Sequence, residues 1–94
     1  MRRLVFADPA KQDIADIEGY WRERDDLIVG FYNAVREATD FLLETPGGGP
    51  PIEGSPRRKW RLGRTPFLII YRVTRTELRI LRVVHQSRNW RSPL

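Results

Sequence analysis

The chain has 94 residues, with seventeen Lys and Arg against twelve Asp and Glu, a net charge of +5 at neutral pH and no cysteine. That length predicts one domain over residues 1–94, with room for one modest core and none for a second. The lack of cysteine excludes a disulfide framework and a thiolate metal site, and one histidine cannot build a histidine-based one, so neither metal nor cofactor is expected.

The charge is divided along the chain. Residues 1–53 carry six basic and eleven acidic side chains, whereas residues 54–94 carry eleven basic ones and a single acid, Glu77. So basic a block repels itself unless it meets a polyanion or an acidic protein. Fifteen of the basic residues are arginine, suited to bidentate recognition of phosphate or carboxylate, although a GC-rich genome gives the same bias.

At the N-terminus, Leu4-Val5-Phe6 is far too short for a signal-peptide core or a membrane span. The expected location is the cytoplasm, with no membrane partner. Arg3 to Phe6 reads as a short strand ended by Asp8-Pro9, where Asp8 caps a helix and Pro9 sits in its first turn. Ala10, Ile14, Ile17 and Trp21 then form one apolar stripe, predicting a helix to about Arg24. Asp25-Asp26 supplies a turn and a second cap. Leu27, Phe31, Val35, Ala38 and Leu42 carry a longer helix to about Glu44, and Thr45 to Pro51, with three glycines and three prolines, ends it. Two helices joined so closely form an antiparallel hairpin.

The basic half reads as a three-stranded meander: Arg57 to Leu62, Phe67 to Val73 and Glu77 to Val84, with turns at Gly63 to Pro66 and at Arg75-Thr76. The fold class is therefore α+β, with a helical hairpin on one face of a mostly antiparallel sheet. A two-residue loop at Arg75-Thr76 sets Val73 opposite Leu78, Tyr71 opposite Ile80 and Ile69 opposite Arg82. The aliphatic face of Leu68, Ile70, Leu81 and Val83 is then expected under the helices. Trp60 and Leu62 point inward, and the open face displays Lys59, Arg61, Tyr71 and Arg82.

Those residues suit ribonuclease chemistry, in which a base, cations that neutralise a pentacovalent phosphate, an acid and a stacking aromatic act together. Lys59, Arg61, Tyr71, Arg82 and His85 are the candidates. The plainer alternatives are arginines that keep a strand soluble, a core tyrosine with a wet hydroxyl, and an ordinary hydrogen-bonded histidine at a strand end. Trp21 and Trp60 read as core, while Trp90 in a polar tail invites a partner. Gly47-Gly48-Gly49 is followed by Pro50-Pro51 and by no Lys-Ser or Lys-Thr pair, so it is no phosphate loop.

The order of these elements resembles the RelE/ParE superfamily of toxins from type II toxin-antitoxin modules over nearly the whole chain. The fragments that carry the likeness are Pro9-Ala10 to Ile17-Tyr20, Thr45-Pro46-Gly47, Trp60-Arg61-Leu62, Leu68 to Val73, and Leu81 to His85 with Arg88. The resemblance implies a first strand beside the last, and a cognate antitoxin whose C-terminal segment wraps the toxin in a hetero-oligomer. RelE-like members cleave messenger RNA on the ribosome, and Lys59, Arg61 and Arg82 fall where their basic residues would. The aromatic that such toxins carry soon after the last strand is missing, with Gln86, Ser87 and Arg88 in its region. The Tyr71-Arg72-Val73 strand and the Arg82 to His85 ending look more like the ParE branch, which implies inhibition of DNA gyrase by contact, without catalysis. Arg82, His85 and Arg88 are then expected at the target, and Tyr71, Arg82 and Trp90 at the antitoxin. A third reading is a basic domain that only binds nucleic acid or its antitoxin.

Overall fold

The backbone at Ala7 sets where the first helix begins. Its N–H still extends the sheet, donating to the Ile80 carbonyl at 2.9 Å, while its carbonyl already accepts from Lys11 at 3.1 Å. In this computed structural model, which describes residues 1–87, strand β1 (Arg3–Phe6) therefore runs straight into helix α1 (Asp8–Tyr20). Ala7, not Asp8, is the cap residue, and Asp8 lies inside the first turn, where its charge complements the helix dipole.

The helix α1 stops at Tyr20, short of the expected Arg24, because Trp21 turns inward. Its ring packs edge-on against Phe31 and Phe67, with centroids 6.2 and 5.7 Å apart. The connecting turn is Trp21 to Arg24, closed by the Arg24 N–H on the Trp21 carbonyl at 2.8 Å. Helix α2 (Asp25–Glu44) starts earlier than expected, with Asp25 and Asp26 in its first turn and Arg24 as the cap residue. A short 3-10 turn (Pro46–Gly48) follows, and then β2 (Arg58–Arg61), β3 (Phe67–Val73) and β4 (Glu77–His85).

The strand order is β1-β4-β3-β2, with β1 parallel to β4 and the other pairs antiparallel. Beside the Arg75-Thr76 turn the register is the expected one, Val73 opposite Leu78 and Tyr71 opposite Ile80. The pairing then shifts between Ile70 and Tyr71, leaving Leu81 as an extra residue on β4. Beyond it, Ile70 faces Arg82 and Ile69 faces Val83, which corrects the expected Ile69–Arg82 pair.

The bulge turns Val83 inward in place of Arg82, on the face that β3 presents through Ile69 and Tyr71. The core beneath the helices joins Ala10, Phe31, Ala38 and Leu42 to Leu62, Ile69, Tyr71, Leu78, Ile80 and Val83, with Phe67 and Trp60 packed against them. The covered face is the one holding Tyr71, not the aliphatic face of Leu68 and Ile70. The bulky aromatics go where two helices can surround them. The opposite face keeps a small cluster of its own, in which Ile52 closes over Ile70, Val84 and Leu68. Ile52 is held there by a tight loop in which its N–H reaches the Arg57 carbonyl at 2.9 Å and Gly54 takes a φ of 74°. Among the described residues, no helix is long and apolar enough to cross a membrane.

Candidate functional site

On α1, Asp13 shares the inward side with Ala10 and Ile17, so its carboxylate points at the free edge of β4 beyond the reach of β1. The main-chain N–H of Val83 donates to its Oδ2 at 2.9 Å. The Arg82 guanidinium closes the joint with two further bonds, Nε to Oδ2 at 2.7 Å and Nη2 to Oδ1 at 3.0 Å. Asp13 is only 9% exposed, so this carboxylate takes the place of a neighbouring strand. Hydrogen bonding to it holds the Arg82 guanidinium more firmly protonated than an ordinary arginine, with burial opposing.

Tyr71 lies elsewhere. It is fully buried, which corrects its expected display beside Lys59, Arg61 and Arg82 on an open face. Even alternation from Ile69 turns it toward the helices, and its hydroxyl meets the glycine-rich loop. It donates to the Pro46 carbonyl at 2.9 Å and accepts the Gly49 N–H at 2.9 Å. Burial raises its pKa above the usual phenol value, against the opposing effects of the Gly49 N–H and of Arg58. Tyr71→Phe is expected to cost about 1–2 kcal/mol through the two lost bonds, measured by urea unfolding at neutral pH. Because the raised pKa belongs to the folded state, the tyrosine's contribution is complete below about 10 and is lost as pH rises through the folded value. The Phe variant should lose that component of alkaline destabilisation.

Lys59 and Arg61 do project away from the helices, as expected, since they pair with Ile70 and Leu68. Arg61 donates to the Thr65 carbonyl at 3.3 Å. His85 stands at the end of β4, edge-on to Phe67 with ring centroids 5.6 Å apart. Its Nδ1 accepts the Ser87 N–H at 3.1 Å, which leaves the neutral ring's proton on Nε2. It lines an apolar cleft of about 380 Å³ with Ile17, Tyr20, Trp21, Phe67 and Asp16. The structure thus brings Arg82 to Asp13, sets His85 in a cleft and Tyr71 in the core, and leaves Lys59 and Arg61 on the far face. They do not converge as a base, a stacking ring and a phosphate clamp would. Arg88 and Trp90 lie outside the described residues. Among the described residues, no three His, Asp or Glu side chains gather to hold a metal ion.

The sequence pattern singles out neither Asp13 nor Ile52, and marks Gly49 only as part of a glycine run that is no phosphate loop. The signal for Asp13 was an acid within the apolar stripe of α1, matched by an arginine interrupting an apolar strand.

Residues 4–90 match the model of the ParE toxin of type II toxin-antitoxin systems, parDE. The chain belongs to this ParE toxin family. Among solved structures, this ParE-family chain is similar to one from the chromosomal ParDE toxin-antitoxin system of P. aeruginosa, at 25% identity over 90% of this chain and 96% of that one, with a TM-score of 0.75. It shares its fold with a mutant of YafQ from E. coli, at 19% identity over 93% and 96% of the two chains and a TM-score of 0.62. A chain of the E. coli DinJ-YafQ toxin-antitoxin complex has the same fold at 18% identity, over 95% and 97%, with a TM-score of 0.65. No curated protein sequence matches the chain.

Proposed function

We propose that this toxin of a type II toxin-antitoxin module acts by binding DNA gyrase and that a cognate antitoxin neutralises it. The observation that carries the reading is Tyr71: the aromatic that a nuclease site would use to hold a splayed base is buried beneath the helices, with its hydroxyl committed to Pro46 and Gly49. Arg82, the cation nearest a phosphate-clamping role, is already neutralised by Asp13. Inhibition by contact needs neither group free.

On this reading His85 and Arg88 contact the target, with Arg82 fixing the strand end that carries His85. The antitoxin meets the basic half of the chain, with Trp90 and Arg82 as its anchors. Its affinity is expected in the nanomolar class, about 12 kcal/mol, because charge complementarity joins apolar burial. Pull-down of the neighbouring gene's product from the natural operon tests this, and a neighbour that fails to co-purify contradicts it.

The gyrase reading has its own test in single substitutions. Lys59→Ala and Arg61→Ala are expected to leave growth inhibition unchanged, whereas His85→Ala and Arg88→Ala weaken it. A site that stabilises a phosphoryl transition state loses on the order of 100-fold or more in rate with each cation removed. Loss of toxicity in folded Lys59→Ala or Arg61→Ala, together with cuts in ribosome-bound messenger, would establish the alternative, a ribosome-dependent endoribonuclease.

A further inference from the structure

The outward face of α2 carries a pattern that its own fold uses only in part, through a tilted contact of the Tyr32 ring with Phe31 at 6.0 Å between centroids. Val29 is 56% exposed and Tyr32 43%, although both are large and apolar. Asp25 and Arg36 lie on the same stripe, within an arc of about 60° at 3.6 residues per turn. Both are exposed, and among the described residues neither joins an ion pair. The stripe is symmetric about the bond between Gly30 and Phe31. Val29 and Tyr32 lie one residue outside that pair, and Asp25 and Arg36 lie five outside it.

A helix with this arrangement is complementary to itself in the antiparallel sense. When a second copy is turned about a two-fold axis through that midpoint, Val29 meets the partner's Tyr32, Tyr32 meets Val29, and each Asp25 meets an Arg36. An isologous interface requires this reciprocity, in which each residue pairs with its counterpart in both directions. Asp25 and Arg36 are eleven residues apart, so the contact spans three turns, about 16 Å.

We propose that the Asp25–Arg36 face of α2 is a self-association surface through which two copies of this toxin pair antiparallel. Three helical turns on each side bury less than a stable dimer's ~1,200 Å², so the dimer is weak and forms in the tens of micromolar. The exposed charge pairs set its register and orientation more than its strength, and salt weakens it.

Sedimentation equilibrium of the full chain alone, from about 5 to 500 µM, tests the proposal without gyrase or antitoxin. The wild type is expected to shift from monomer toward dimer across that range. Asp25→Arg alone and Arg36→Asp alone each set like charges together and raise the dissociation constant about tenfold. The double variant Asp25→Arg/Arg36→Asp restores the complement and recovers wild-type association, while Val29→Asp abolishes it. A protein monomeric throughout the range overturns the proposal, as does a dimer that the single reversals leave unchanged. A monomer in which Val29→Asp instead weakens antitoxin binding gives this face to the antitoxin, and that too overturns it.

Discussion

Replacing Asp13 by alanine is expected to destabilise the protein by about 3 kcal/mol, the largest loss from any single charged residue described. The substitution leaves Arg82, whose side chain is 27% exposed, without its counter-ion, and strands the Val83 N–H at an edge of β4 that, among the described residues, no strand covers. Breaking one side of a buried pair costs about 3–5 kcal/mol, and the partial exposure of Arg82 puts the value at the lower end. At about 4–8 °C per kcal/mol for a domain of this size, the melting temperature should fall by roughly 12–24 °C. Asp13→Asn keeps the size and one acceptor and should lose less. A drop below about 5 °C for Asp13→Ala would mean that the joint contributes little. The result also governs how Arg82→Ala is read, since lost toxicity in that variant counts as a target contact only if its melting temperature is preserved.

Gly49→Ala should cost about 2–3 kcal/mol for a steric reason. A Cβ at that position would collide with the Lys59 backbone carbonyl and would lie 2.6 Å from the Tyr71 hydroxyl. The loop cannot retreat without breaking the bonds that Tyr71 makes to Gly49 and Pro46. Overpacking of this kind costs about 1–3 kcal/mol, and the hydrogen bonds at risk add to it. Gly47→Ala is the control, because a Cβ there meets nothing within 4 Å. Urea unfolding of the two variants should separate them clearly. Equal midpoints would show that the loop yields freely and that Tyr71 does not hold it.

The element order was legible because each boundary has a local cause: Pro9 in the first turn of α1, the glycine-proline run after α2, and alternating apolar residues in β3 and β4. The buried face was not legible, because β3 is apolar on both sides. Alternation alone could not choose between Ile69-Tyr71 and Leu68-Ile70. The choice depends on the aromatics Phe31, Trp21 and Phe67 packing together, and a bulge at Leu81 that no residue type announces then turns Val83 inward in place of Arg82. Because the helices cover the Ile69–Tyr71 face, Tyr71 lies in the core and not on an open surface. Lys59 and Arg61 were placed correctly because β2 alternates cleanly, with Trp60 and Leu62 turned inward. Arg82 was singled out for its oddity in an apolar strand, yet its partner Asp13 is sixty-nine residues away in sequence, and no local pattern joins them.

Purified components test the proposed action on gyrase most directly. Relaxed plasmid, gyrase and ATP are mixed with increasing toxin, while programmed ribosomes carrying end-labelled messenger receive the same concentrations. Supercoiling is expected to fall with toxin concentration and to recover when antitoxin is added, while the messenger stays intact. Unimpeded supercoiling alongside defined cuts at the A-site codon would contradict the proposal.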